Sequence, residues 1–285
     1  MTLRGSAAIV GISEMPPRRE APGETGLGLI GRVSASAVRD AGLEPGAVDG
    51  LFVGVQVGET PQHVAVTVAE YLGLEPRVAE LVDLGGATAA GMVWRAAAAI
   101  RAGMCTTALC VLSAPRDPSR VLRSPNRNPI REFDVPHGAS GANTSYAWIA
   151  QRYLHDFRRT PADLALVPVL ARANSDLNPE AVFHGRPLTV DDVLSSPMIS
   201  DPLHLLEIVM PCAGAAAVVV TAAATAASGP HRPVLLRGAG ERVTHRAVSG
   251  APVLTSSPLR AAIADAYAMA GVGAADLDVL ALYDC

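Results

Sequence analysis

The chain has 285 residues, 49% of them hydrophobic and 18% charged, with 26 glycines, 22 prolines and a formal net charge of −4. That length and balance allow one large core or two modest ones and exclude a disordered chain. No basic run interleaved with aromatics points to nucleic acid, and no stretch approaches the roughly 18 consecutive apolar residues of a membrane span.

The chain opens on "AAIVGIS" (7–13), an apolar run that predicts a strand and is too short for a secretion signal, so the cytoplasm is the expected compartment. A helical pattern over 25–42 leads to a second strand, "GLFVGVQ" (50–56). A helix over 61–73 and a strand at 79–83 follow. The next strand-to-helix junction reads "LVDLGGATAAGMVW" (81–94), and the helix continues over 87–104 into the strand "TALCVLS" (107–113). Near-continuous apolar strands alternating with helices predict an α/β layered fold with strands buried on both faces.

The stretch from about 115 to 205 differs in character. It carries Pro115, Pro118, Pro125, Pro129 and Pro136 among the arginines 116, 120, 123, 127 and 131, then helical patterns over 145–157 and 161–174. It reads as a domain inserted between the strands at 107–113 and 215–221, a usual place for substrate pockets or subunit contacts. The chain ends on a strand-like run at 233–239, a helix over 258–271 and a last strand-like run, "VLALY" (279–283).

These last elements repeat the first. "RDAGLEPGAVDGLFV" (39–53) lines up without a gap on "AMAGVGAADLDVLAL" (268–282), matching Gly42 to Gly271, Asp49 to Asp278 and Leu51 to Leu280. In each copy a strand precedes the helix, so one βαβ unit occurs twice, about 230 residues apart. The expected division is a first half over 1–228, holding the insertion, and the start of a second half over 229–285. Since a buried strand needs neighbours on both sides, that second half is expected to be truncated, completed by further residues or by another chain.

All 23 basic residues are arginine. Without lysine, no Schiff base can form on a lysine amine of this chain. The four cysteines (Cys105, Cys110, Cys212 and Cys285) show no CxxC spacing, and no cluster has metal-ligand spacing. No tightly bound cofactor and no metal are expected. The glycine turn has three readings: a tight backbone turn, a phosphate cradle, or an oxyanion site built from free N–H groups at a helix start. The phosphate reading is weakest, because neither GxGxxG nor GK[ST] is present.

The motifs "AAIVGISE", "AGLEPGAVDGLFVG", "GGATAAG", "RYLHDFRRTPADLALV" and "LYDC" resemble the thiolase superfamily, on the branch of sterol-carrier-protein-x thiolases and lipid-transfer-type thiolase-like proteins. The stretch 178–221, with NP, LT, DPL and GAAAVVVT in order, is the most specific. The resemblance implies a duplicated βαβαβαββ five-layer fold, a loop domain inserted in the first half, and a homodimer or a thiolase-like heterodimer. Two residues depart from the thiolase pattern. Gly86 stands where the acyl-accepting cysteine would be, and Tyr283-Asp284-Cys285 stands where a histidine-led motif would be.

That combination resembles the thiolase-like aldolases of sterol side-chain degradation. These cleave a β-hydroxyacyl-CoA to a ketone and a shorter acyl-CoA, in complex with a small OB-fold/zinc-ribbon partner. Carried onto this chain, the resemblance implies an acyl-CoA substrate, with coenzyme A entering as part of it. Tyr283 becomes the acid/base candidate, with Asp284 as its relay. Gly85, Gly86 and Ala87 become the backbone that meets the oxyanion, and the missing side chain at 86 would leave room for a branched acyl group. His137, Arg123, Arg127 and Cys212 are weaker candidates for contacts to substrate or coenzyme A; solvated arginines and a buried small cysteine are the plain alternatives. Retro-aldol cleavage leads. Acyl transfer of the thiolase kind and a non-catalytic acyl-CoA or lipid-binding subunit of a hetero-complex stay open.

Overall fold

The computed structural model describes residues 2–54, 63–116, 130–139, 141–226 and 228–283. They fall into two compact units. The first comprises 1–122, 211–241 and 261–284; the second comprises 123–210 and 242–260.

In the first unit the elements run β1 (Ala7–Glu14), α1 (Gly26–Asp40), β2 (Gly50–Gly54), α2 (Val64–Leu72), β3 (Val78–Val82), α3 (Thr88–Arg101) and β4 (Thr107–Ala114). In the second unit α4 (Gly141–Phe157), α5 (Pro161–Ser175) and α6 (Val190–Ser195) precede the short strands β5 (Met198–Ser200) and β6 (Leu203–His204). The chain then rejoins the first unit through β7 (Gly214–Ala222), α7 (Ala223–Ala226), β8 (Val234–Leu235) and, beyond residue 260, α8 (Leu259–Ala270).

The main sheet has the order β3-β2-β4-β7-β1-β8. It is mixed: β2 pairs in parallel with β3 and β4, whereas β7 runs antiparallel to both β4 and β1. The inner strands β2, β4 and β7 are hydrophobic on consecutive residues because both faces are covered, whereas the edge strand β3 is largely exposed. Leu51, Val53, Leu109, Val111 and Val219 pack with Leu29, Ile30, Val33 and Ala37 of α1 and Val68 of α2. On the other face Phe52, Ala108, Cys110 and Val220 meet Met92, Ala96, Ala97 and Ile100 of α3. Because it follows β3, which runs parallel to β2, the β3–α3 junction lies at the carboxyl end of the parallel strands, where α/β sheets commonly place their ligands.

The duplication is visible in three dimensions. Leu43 N–H bonds to Val38 O at the end of α1, and its counterpart Val272 N–H bonds to Tyr267 O at the end of α8. Gly42 and Gly271 both take left-handed φ, 69° and 66°. Gly11 crosses α1 so closely that a side chain there would overlap Ala37 O and lie 2.7 Å from Ala41 N. Gly238 meets Ala266 O and Ala270 N, the repeat equivalents, in the same way.

The copies part at their last strand. Leu51 and Val53 in β2 are 0% exposed, between β3 and β4. Their counterparts Leu280 and Leu282 are 65% and 73% exposed, and the strand expected at 279–283 does not form among the described residues. The run expected at 233–239 is likewise a strand only at Val234–Leu235, where it pairs with β1. Apolar composition is the same in both copies; ladder partners are not.

The second unit is mainly helical. Thr160 and Thr189 start α5 and α6 with capping boxes to Asp163 and Asp192. Ser249 Oγ donates to Asp134 Oδ1 at 2.8 Å, which ties the segment 242–260 to the start of the unit. His204 is buried, its N–H and Nδ1 both directed at Glu207 Oε2 at 2.7 and 3.0 Å, a packing role. No described helix is long and apolar enough to cross a membrane.

Candidate active site

The β3–α3 turn is held by its own side chains. Thr88 Oγ1 accepts from Leu84 N–H at 3.0 Å and donates to Gly85 O at 2.7 Å. Asp83 Oδ1 accepts from Gly85 N–H at 3.3 Å, and Ala87 N–H closes a single 3-10 turn on Leu84 O. Thr88 is buried whereas Gly85, Gly86 and Ala87 are exposed, so the clamp sits beneath an accessible backbone surface. The first turn of a helix leaves N–H groups without intrahelical acceptors and carries partial positive charge. Of the three backbone donors expected to meet an oxyanion, the structure engages two, Gly85 N–H with Asp83 Oδ1 and Ala87 N–H with Leu84 O, so the site is carried by the N–H of Gly86.

The two glycines are there for different reasons. Gly85 has φ +57° and nothing within 4 Å of its missing Cβ, so it answers to the backbone. Gly86 is outside the left-handed region, and its reason is space. A Cβ on Gly86 would lie 2.6 Å from Tyr283 Cε1 and 3.0 Å from Cζ. The structure thus brings together the two residues that depart from the thiolase pattern. It also corrects the expectation of room for a branched acyl group at residue 86: the Tyr283 ring fills that volume. The rest of Tyr283 is open, with the residue 69% exposed, so its hydroxyl-bearing edge is accessible.

The remaining candidates are dispersed or lie beyond description. Asp284, Arg123 and Arg127 fall outside the described residues. His137 is exposed at the end of a 3-10 turn (Val135–His137) in the second unit. Cys212 is half-buried just before β7, in the first unit. Burial pushes the Cys105 thiol up to about 11 and raises Cys110 further, which makes both poor nucleophiles. No group of acidic, histidine or cysteine residues among the described ones is arranged to hold a metal.

One supporting pair escaped the sequence reading. Arg95, on the second turn of α3, holds Glu241 with both terminal nitrogens at 2.7 and 3.0 Å, and Trp94 Nε1 donates to the same carboxylate at 2.9 Å. The hydrogen bonds from Arg95, then from Trp94, keep the Glu241 carboxyl below its ordinary range. This fork fixes α3 to the segment that follows β8, and hence fixes the turn at its start.

Residues 240–285 match a family model described as thiolase C-terminal domain-like. Over 99% of its length the chain is 31% identical to a 17-hydroxy-3-oxo-4-pregnene-20-carboxyl-CoA lyase of Mycobacterium tuberculosis, of which it covers 76%. The chain belongs to the thiolase superfamily. This thiolase-like chain is also 33% identical, over 84% of its length, to a steroid side-chain-cleaving aldolase of Thermomonospora curvata, and spans 62% of that relative. A solved structure described as an Ltp2-ChsH2(DUF35) aldolase superposes on 96% of this chain and 72% of its own, at TM-score 0.85 and 29% identity. The α/β thiolase-like fold expected from the motifs is borne out. Within the superfamily these matches set the chain beside acyl-CoA lyases and aldolases.

Proposed function

We propose that this protein is an acyl-CoA lyase that cleaves the bond between the α- and β-carbons of a β-hydroxyacyl-CoA by retro-aldol chemistry, with no covalent acyl-enzyme. The observation that carries this reading is the pairing of Gly86 with Tyr283 in a chain 31% identical to a steroid-type acyl-CoA lyase. With glycine at residue 86 there is no thiol to take an acyl group, which speaks against acyl transfer.

In this reading the thioester carbonyl lies over the start of α3, and the N–H of Gly86 faces the oxygen on which charge develops, the Ala87 N–H being engaged by Leu84 O. Tyr283 Oη takes the proton of the β-hydroxyl and passes its own to Asp284. As that proton leaves, the β-oxygen forms a carbonyl and the Cα–Cβ bond breaks. Its electron pair moves onto the thioester as an enolate. Return of the proton to the α-carbon releases a ketone and a shortened acyl-CoA, with no atom gained or lost. Thr88 holds the turn that presents this N–H, through Leu84 N–H and Gly85 O.

Coenzyme A enters as part of the substrate. The relatives named for steroid side chains support a steroid or similarly bulky lipid as the group released as ketone. The solved neighbour is a complex of two proteins, Ltp2 and ChsH2(DUF35), which supports a hetero-complex here; we take the partner to be a small OB-fold/zinc-ribbon subunit, as the family resemblance implies. The test supplies a β-hydroxyacyl-CoA with a branched steroid side chain to this protein, with and without such a partner, and follows products by mass spectrometry. A ketone plus an acyl-CoA in equal amounts is expected. Acyl transfer to free coenzyme A without ketone would sink the reading.

A further inference from the structure

We infer that Gly86 is a positioning residue for Tyr283: the missing side chain is the seat of the phenol ring, and the size of residue 86 sets where the hydroxyl stands. The inference deepens the lyase reading of the same site, and rests on it for the catalytic consequence alone.

Three observations carry it. The backbone does not require glycine at 86, since its φ lies outside the left-handed region, unlike that of neighbouring Gly85. A Cβ there would fall 2.6 Å from Tyr283 Cε1, 3.0 Å from Cζ and 3.2 Å from Cδ1, which is inside van der Waals contact along one whole edge of the ring. The ring atoms nearest that point include the carbon bearing the hydroxyl. A methyl group at 86 therefore acts on the hydroxyl directly. The other boundaries of the turn cannot yield as easily: Thr88 is buried and hydrogen-bonded to both Leu84 and Gly85. Tyr283 is 69% exposed and free to swing outward. Enlarging residue 86 thus moves the phenol and leaves the turn intact.

Gly86 and Tyr283 are in this sense one substitution made at two places. A tyrosine opposite any larger residue would be held away from the start of α3, and a proton acceptor displaced by about 1 Å from its geometry can lose roughly 100-fold in rate.

The experiment has two arms. In the first, 3-fluorotyrosine is placed at position 283 of the full protein and its ¹⁹F resonance is compared in the unsubstituted protein, Gly86→Ala, Gly86→Ser and the exposed α3 control Ala90→Ser. Both substitutions at 86 are expected to shift the resonance, with thermal midpoints unchanged, and the control is not. In the second, ketone release is measured for Gly86→Ala, Tyr283→Phe and the double variant. A tenfold to hundredfold fall in kcat with KM nearly constant is expected for Gly86→Ala, and little further loss when it is combined with Tyr283→Phe. A resonance that does not move in either variant overturns the seat. A resonance that moves with kcat unchanged overturns the positioning role. If even the unsubstituted protein releases no ketone, the lyase reading fails, while the ¹⁹F arm still decides whether residue 86 seats the ring.

Discussion

The ring of Tyr283 occupies the volume that a side chain at Gly86 would fill, with Cε1 2.6 Å from the position of the absent Cβ. The two residues lie almost two hundred positions apart in the chain, one beyond the first copy of the repeat and one at the end of the second. Their contact joins an exposed helix start, suited to negative charge, to an exposed phenol, suited to moving a proton.

Tyr283→Phe keeps the ring and removes the hydroxyl. Ketone release should fall by about 10²–10⁴-fold in kcat, the usual contribution of one positioned acid/base, with KM within about threefold. Unaltered kcat would remove Tyr283 from the mechanism.

Gly85→Ala and Gly86→Ala should separate stability from activity. At φ +57° alanine is strained, so Gly85→Ala is expected to destabilise by about 1 kcal/mol or more in urea unfolding. Gly86→Ala, with ordinary φ and a neighbour free to move, is expected to stay within about 0.5 kcal/mol of the unsubstituted protein. Equal costs at the two positions would contradict the separate roles assigned to them.

Thr88→Val retains the shape of the side chain and deletes both its hydrogen bonds. Leu84 N–H would be left without its acceptor in a part-buried site, at a cost of about 1–3 kcal/mol, with loss of ketone release. Thr88→Ser should recover most of both. Failure of serine to do so would assign the effect to the methyl group, which packs near Gly54.

Asp49 offers a pH test of the fold. Burial acts to raise its carboxyl, but the N–H groups of Thr107 and Thr106, the Thr106 hydroxyl and Arg77 outweigh it, and the net shift is downward. A lowered folded-state value means that the ionised form is the stabilising one. Its contribution is complete above the ordinary aspartate range, near pH 4, and is lost as pH falls through the lower folded value. Urea midpoints of Asp49→Asn should therefore lie below those of the unsubstituted protein at pH 6, with the two converging as pH drops toward 3. Parallel curves would count against this assignment.

Cysteine reactivity should separate the lyase from an ordinary thiolase. Burial raises the thiols of Cys105, to about 11, and of Cys110, so neither should react with iodoacetamide at pH 8 or acquire an acyl group from acyl-CoA. An acyl adduct on either, found by peptide mass spectrometry, would restore acyl transfer as a reading.

The seven elements from β1 to β4 could be read in the sequence because the inner strands carry their burial on their face. "GLFV" is apolar at every position, and β2 is buried on both sides. The same argument fails for "VLALY". Composition records the tendency to pair but not whether ladder partners are present, and 279–283 forms no strand among the described residues. At the site, the loss of a thiol at residue 86 was readable by counting along a motif, and so was the tyrosine that replaces a histidine. That each exists beside the other was not, because spacing along the chain has no bearing on which ring fills which gap. Arg95 and Glu241, 146 residues apart, were hidden for the same reason.

The matched crossings of Gly11 on α1 and Gly238 on α8 have a consequence for how such a protein is assembled. In the first copy that crossing is embedded in a complete ladder. In the second the equivalent α8 atoms, Ala266 O and Ala270 N, are met although Gly238 lies outside any strand. A glycine passing close over its helix is therefore a module that does not need a ladder around it. Gene duplication can transplant it whole, and the sheet around each transplanted module can then diverge in chemistry without unsettling the joint.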